Sequence, residues 1–137
     1  MRQYLLLLIV LLIVVAAPLL AHHSFAAEFD SSKPVELKGT LIDLEWVNPH
    51  AWIHMEVTDA TGKVTKWECE LGSPNLLMRN GWRKDVLKKG DKIIVIGAQA
   101  KDSSNLASAR TVTLEDGKRV FNAGSSGEPG SPGAPTQ

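Results

Sequence analysis

The alternation of apolar and polar residues over residues 50–71 constrains the fold more than any other feature of this sequence. Apolar side chains occupy every second position from Ala51 to Val57, and polar or aromatic side chains stand between them. The period resumes after a turn at Asp59 to Gly62. This pattern is typical of two antiparallel strands that each bury one face, so it predicts a β-rich domain.

The turn also predicts the register of this hairpin. A three-residue loop with Gly62 in the left-handed conformation pairs Thr58 with Val64. The same register sets three further pairs opposite one another: Glu56 with Lys66, His54 with Glu68, and Met55 with Trp67. One pair of opposite charge and one apolar pair across the strands support this register.

The remaining segments complete a mainly β domain. We predict strands at 35–47 (bent at Gly39), 92–100 and 109–114, and a helix that begins at Ser73-Pro74 and ends near Gly81. The order is strand, strand, strand, helix, strand, strand. This order is that of a small OB-like five-stranded barrel with one short helix between strands three and four.

The two ends of the chain differ in composition from the middle. Arg2, an aliphatic run and Pro18 precede Ala21, which predicts a signal peptide over residues 1–21 and export to the periplasm or the medium. An uncleaved anchor is the alternative, because the 17 residues from Tyr4 to Leu20 are at the lower limit of a bilayer span. We expect an N-terminal arm at 22–34, the domain at 35–121 and a disordered Gly/Ser/Pro-rich tail at 122–137.

Charge and motifs exclude several classes of function. Basic and acidic residues both number 15, and the absence of a basic block argues against a binder of nucleic acid or of anionic membranes. After signal cleavage we expect no stable membrane insertion. The sequence has no nucleophile elbow, no glycine-rich phosphate loop and no C-x-x-C pair, so we predict no catalytic residues and a non-enzymatic protein.

Cys69 is expected to be a buried apolar residue, with a metal ligand or an intermolecular bridge as the alternatives.

The four histidines are the candidates for metal binding. Cleavage after Ala21 would place His22 and His23 at a free α-amine, and such a set of nitrogens suits copper or another divalent transition metal. His50 and His54 could add imidazoles, although four residues of strand separate them by about 13 Å. The alternatives are that the terminal pair only keeps the cleavage site exposed, and that His50 is a hydrogen-bonded structural residue.

A second candidate site is the outward face of the predicted hairpin. Trp52, Glu68 and Glu70 share this face with the strand histidines. An aromatic side chain among polar ones on an OB-like barrel suits recognition of a cell-envelope glycan or protein. The alternative is that the N-terminal arm covers Trp52, with Phe25 or Phe29 packed against it.

The chain contains a set of several short motifs. They are His22-His23-Ser24-Phe25, Gly39 and Trp46, Asn48-Pro49-His50, Ser73-Pro74, Gly81-Trp82 and Gly90-Asp91. With them the chain resembles, over roughly residues 21–120, a family of small exported bacterial proteins classed as a domain of unknown function. The resemblance implies an exported OB-like domain, and it carries no established activity, ligand or catalytic residue.

Overall fold

The computed structural model describes residues 25–117, 119–122 and 124 of the chain. The signal peptide predicted at 1–21 and nearly all of the tail lie outside the described residues. Within them the chain forms two short helices and six strands: α1 (Phe25–Glu28), β1 (Phe29–Glu45), β2 (Trp52–Thr58), β3 (Val64–Glu70), α2 (Pro74–Arg79), β4 (Lys92–Ala100), β5 (Leu106–Leu114) and β6 (Arg119–Asn122). The prediction of a mainly β domain is confirmed. In this part of the chain, neither helix has the length or the apolar character needed to cross a membrane.

All six strands belong to one sheet, in the order β3-β2-β1-β4-β5-β6. Each neighbouring pair in this order is antiparallel. β3 also pairs with β5 in parallel, with Glu68 opposite Leu106 and Glu70 opposite Ser108. β3 therefore has a hydrogen-bonded neighbour on each side of its last residues.

The predicted register of the central hairpin is confirmed. Thr58 lies opposite Val64, and the three further pairs also lie as predicted: Glu56 with Lys66, His54 with Glu68, and Met55 with Trp67. The turn is closed by Asp59, whose carboxylate accepts from the backbone N–H and the hydroxyl of Thr61 at 2.8 and 2.6 Å. These hydrogen bonds favour the charged form and lower the pKa of Asp59.

β1 begins at Phe29, earlier than the strand predicted from residue 35. The additional residues pair with β4, where Phe29 lies opposite Ala100 and Pro34 opposite Ala98, with a register shift between the two. Asp30, Ser31 and Ser32 are poor strand formers, so only the partner strand reveals that this segment is extended.

The helix after β3 begins where the sequence predicts. Ser73 is the N-cap, and its hydroxyl accepts from the backbone N–H of Leu76 at 3.3 Å. Pro74 stands in the first turn, where its missing N–H is not needed. Gly81, just after the helix, has a φ of 87°, which a glycine adopts without strain.

The core lies on the inward face of the sheet and beneath α2. Its largest fully buried side chains are Leu41, Ile53, Met55, Cys69, Leu71, Leu77, Trp82, Ile93, Val95 and Val112. Trp82 packs just after the helix, and its indole Nε1 donates to the Asn122 carbonyl at 3.1 Å. Trp67 is only half-buried and packs against the edge of this core.

Two glycines stand where strands approach closely. A Cβ at Gly39 would overlap the carbonyl oxygen of Glu56, and one at Gly97 would overlap that of Ser108. Gly97 also lies at a register shift between β4 and β5. Close backbone contact is therefore the physical reason for a glycine at both positions.

Candidate functional site

His50 lies in the connection between β1 and β2, immediately before β2 begins. Its neighbour Ala51 is completely buried and is held by two backbone hydrogen bonds, to the Gly72 carbonyl at 3.1 Å and from the Leu71 N–H at 2.9 Å. The backbone beside His50 is therefore fixed against the end of β3. The imidazole itself is half-buried, with 34% of its side chain exposed.

Glu70 ends β3 beside this imidazole, and its carboxylate Oε1 contacts His50 Nδ1. Only 8% of the residue is exposed, although the sequence predicts an outward and solvated side chain at this position. That expectation of exposure is wrong, because β5 flanks β3 here and His50 covers the carboxylate. Burial of a carboxylate is costly unless it is paired, so the contact with His50 offsets part of that cost.

His54 lies within β2 and occupies a different environment from His50. Its Nε2 lies 3.1 Å from Glu45 Oε2, and its Nδ1 lies 3.8 Å from Glu68 Oε1. The imidazole thus connects β1, β2 and β3 on the outer face of the sheet. Both ring nitrogens face carboxylates, so the geometry does not support joint ligation of one metal ion by His54 and His50.

The structure therefore brings some predicted site residues together and separates others. His50 and Glu70 are in contact, and Trp52 lies between Glu70 on β3 and Glu45 on β1. His22 and His23 lie outside the described residues. Within the part of the chain that is described, no group of three or more His, Cys, Asp or Glu side chains could hold a metal ion.

Glu45 belongs to this region although the sequence alone does not single it out. A register shift in β1 between Leu41 and Asp43 brings Asp43 opposite His54 and Glu45 opposite Trp52. Strict alternation cannot locate such a shift, since one extra residue changes which side chains face outward. The carboxylates on this outer face of β1, β2 and β3 are Asp43, Glu45, Glu56, Glu68 and, more deeply placed, Glu70.

Phe25 and Phe29 stack on each other, with ring centroids 5.6 Å apart. Among the described residues this is the only aromatic pair, so neither phenylalanine stacks on the half-buried Trp52. The alternative that the arm covers Trp52 therefore gains no support from ring stacking.

Cys69 is fully buried, as the sequence predicts. Burial, with a smaller contribution from the charge of Glu68, raises the pKa of its thiol to about 12. A thiol of this kind is uncharged at neutral pH and turns toward the core, away from His50 and Glu70. Neither metal ligation nor an intermolecular bridge by Cys69 gains support from this geometry.

The N-terminal arm is attached to the β4–β5 loop, which also contacts β3. The Lys101 N–H donates to the Glu28 carbonyl at 2.9 Å, at the end of α1. Four residues later in the same loop, the Asn105 carbonyl accepts from the Glu68 N–H at 3.1 Å. The β4–β5 loop thus links the arm to the end of β3.

Comparison with known proteins identifies a family for this chain, and that family has no assigned activity. The model of a family of unknown function, DUF6152, matches residues 10–109. None of the curated proteins compared with the chain matches it.

Proposed function

The chain belongs to the DUF6152 family of unknown function, and we propose that it is an exported, non-enzymatic binding protein that holds a divalent transition metal ion, copper first. The proposed ligands are the α-amine and imidazoles of His22 and His23 together with the imidazole of His50. His54, also predicted as a ligand, is a less suitable donor because both of its nitrogens face carboxylates.

The contact between His50 and Glu70 carries this proposal. A metal-binding histidine almost always donates its second ring N–H to a carboxylate, a carbonyl or a water, which fixes the tautomer and the orientation of the ring. Glu70 is placed to accept from Nδ1, and Nε2 is then the nitrogen suited to coordination. A third of the His50 side chain remains exposed, so an ion could approach it from solvent.

The remaining donors would come from the N-terminus. Removal of a signal peptide after Ala21 would leave His22 with a free α-amine, followed by His23. Amine and imidazole nitrogens together favour Cu(II), Ni(II) or Zn(II). α1 is attached to the β4–β5 loop, and this loop contacts β3 at Glu68, two residues before Glu70, so the arm is held close to the strand that carries the proposed partner of His50.

The strand pairings support the finer description of the fold as an OB-like barrel. β1, β2 and β3 pair in sequence, β3 pairs in parallel with β5, and β4 pairs with both β5 and β1. α2 stands between strands three and four, as in an OB-fold. OB-folds bind ligands on strands two and three and on the 1–2 and 4–5 loops. His50 lies in the first of these loops, and the arm is attached to the second.

Copper titration of the processed protein tests the proposal. The protein is purified from the periplasm, its N-terminus is established by mass spectrometry, and Cu(II) is added at neutral pH. We expect one equivalent to bind. One extra residue before His22, or the substitution His50→Ala, should weaken binding by about tenfold or more. Loss of even an outer-shell partner of a metal ligand typically costs about 10–100-fold in metal affinity.

His54→Ala is the matched control, since it removes a similarly exposed imidazole from β2 without touching the proposed donors. It should leave the Cu(II) affinity nearly unchanged. Full affinity in both the extended protein and the His50→Ala variant would contradict the proposed site. A processed N-terminus other than His22 would contradict the role of the terminal amine.

A second candidate function is recognition of a cell-envelope partner by the Trp52 face. Trp52 lies between Glu45 and Glu70, and Asp43 and Glu68 flank the next outward residue of β2, so the charge favours a basic protein segment over a neutral glycan. Trp52→Ala should abolish capture of such a partner with little change in melting temperature. A large loss of stability would instead mean that Trp52 serves packing.

A further inference from the structure

A cavity of about 500 Å³ opens where the end of β1 meets α2 and the segment that follows it. Three apolar side chains line it, Trp46, Met78 and Trp82, and three charged ones, Arg83, Lys84 and Asp85. His50, Trp52, His54, Glu68 and Glu70 are not among the lining residues, so this cavity is distinct from the proposed metal site. Its volume lies within the range of small-molecule sites, about 300–1,000 Å³.

The apolar part of the cavity has one buried side chain, Trp82, and one exposed side chain, Met78. Trp82 is 1% exposed, and the hydrogen bond from its Nε1 to the Asn122 carbonyl holds the ring in place. Met78 is 53% exposed and Val47, next to Trp46, is 42% exposed. Val47 and Met78 are two of the four large exposed hydrophobic residues in the described part of the chain. Apolar surface concentrated beside a cavity is typical of a ligand site.

The charged part of the cavity carries a net positive charge, because Arg83 and Lys84 line it together with a single carboxylate, Asp85. From Arg79 to Lys89 the sequence holds five basic residues and one acidic residue, Asp85, in a chain whose total formal charge is zero. Within the described residues, no ion pair involves any of these five basic side chains. Basic side chains therefore outnumber carboxylates at this cavity, which favours an anionic ligand.

We propose that this cavity binds a small organic anion with an aromatic body. The body would lie against Trp46 and Met78, where burial of apolar surface stabilises it. The anionic group would face Arg83 and Lys84, and a guanidinium can donate two parallel hydrogen bonds to a carboxylate or sulfonate. The adaptable side chain of Met78 suits such a contact. The site does not depend on a bound metal ion.

Fluorescence titration with two matched probes tests this proposal on the processed full-length protein. The first probe, 8-anilinonaphthalene-1-sulfonate, carries an aromatic body and a negative charge. The second, N-phenyl-1-naphthylamine, has the same aromatic body without the charge. We expect the anionic probe to saturate one site and to bind more tightly than the neutral probe.

The variant Arg83→Gln/Lys84→Gln should weaken the anionic probe by about tenfold, as expected for loss of charge-assisted hydrogen bonds, and leave the neutral probe unchanged. Met78→Gln should weaken both probes. All three positions are exposed, so these variants should fold. Lys63→Gln/Lys66→Gln is the matched control, since it removes the same charge from the distant hairpin.

Three outcomes would overturn the proposal. The first is equal affinity for the two probes, which would make the cavity a neutral apolar site. The second is an equal loss of affinity for the anionic probe in the control variant, which would mean that binding depends only on the total charge of the protein. The third is absence of saturable binding. Copper titration is independent of each result, so failure here would leave the metal proposal standing.

Discussion

The imidazole of His50 meets the carboxylate of Glu70 at the point where β3 ends, and the carboxylate is nearly removed from solvent. The two residues are twenty positions apart, and they meet because Leu71 and Gly72 pair with Ala51. A histidine oriented by a buried carboxylate is positioned before any ligand arrives. This relationship is the structural basis of the first prediction.

Replacing the carboxylate by an amide should weaken metal binding without unfolding the protein. Glu70→Gln keeps the volume of the side chain and removes the negative charge that orients His50. We expect the Cu(II) affinity to fall by about 10–100-fold, the usual effect of losing an outer partner of a metal ligand. Since the buried carboxylate is costly to desolvate, the melting temperature should not fall greatly.

Glu68→Gln is the control for this substitution. Glu68 lies two residues earlier on β3 with 63% of its side chain exposed, so its charge is largely screened by solvent. Copper affinity should remain near that of the unmodified protein. Equal losses for both variants would mean that the general negative charge of this face, rather than the orientation of His50, supports binding.

Cys69 should be chemically inert in the folded protein. Its thiol is fully buried and its pKa is raised to about 12, so very little thiolate is present at pH 8. We expect no alkylation by iodoacetamide in buffer and complete alkylation in concentrated urea, as followed by mass spectrometry. Rapid alkylation under native conditions would show that the core opens around β3.

The same thiol should make stability depend on alkaline pH. Its pKa is raised from 9.0 to about 12 by burial, so above pH 9 the unfolded chain loses a proton that the folded chain keeps. The stabilisation from this group is complete below pH 9 and decreases as the pH rises toward 12. The slope is up to about 1.4 kcal/mol per pH unit. Urea unfolding of Cys69→Ala should lack this component of the slope.

Substitutions at the two close-contact glycines should be strongly destabilising. A Cβ at Gly97 would overlap the Ser108 carbonyl, and one at Gly39 would overlap the Glu56 carbonyl. Each Gly→Ala variant should lose about 1–3 kcal/mol of unfolding free energy, the usual cost of overpacking, or fail to fold. Gly62→Asn is the control, because that turn has open space and asparagine tolerates a positive φ.

The N-cap of α2 should contribute less to the free energy of unfolding than the two close-contact glycines. Ser73→Ala removes the acceptor for the Leu76 N–H and should lower the unfolding free energy by about 1 kcal/mol. Ser73→Asp restores an acceptor at the same position and should recover most of this loss. Denaturation curves of the two variants give the comparison. Equal stability of Ser73→Ala and the unmodified protein would mean that packing of Leu77 alone holds the helix.

Local patterns predicted the central hairpin and the helix of this fold. The pairing of Thr58 with Val64 follows from alternation and from one turn glycine, and the start of α2 follows from Ser73-Pro74. These features depend on residues close together in the chain. The early start of β1 at Phe29 and the start of β5 at Leu106 depend on distant partner strands, which no local pattern reveals.

The sequence identified most residues of the candidate site, but it did not predict which of them are in contact. Alternation placed Glu70 outside the core, but it cannot indicate that His50 and β5 would cover that carboxylate. The register shift in β1 that brings Glu45 to His54 and Trp52 has no local signal. The cavity beside Trp46 was missed because its walls come from two segments separated by more than thirty residues.

The parallel pairing of β3 with β5 has a consequence for the order of folding. Loop closure must precede contacts between residues so far apart in sequence, which makes such pairings slow to form. Until residues 106–108 have docked, β3 has an unsatisfied edge from Glu68 to Glu70. The carboxylate beside His50 then remains in water, where it orients the imidazole weakly. A nascent or truncated chain therefore has the residues of the proposed metal site without its geometry, and under the proposed function it would bind an ion only when its folding is complete.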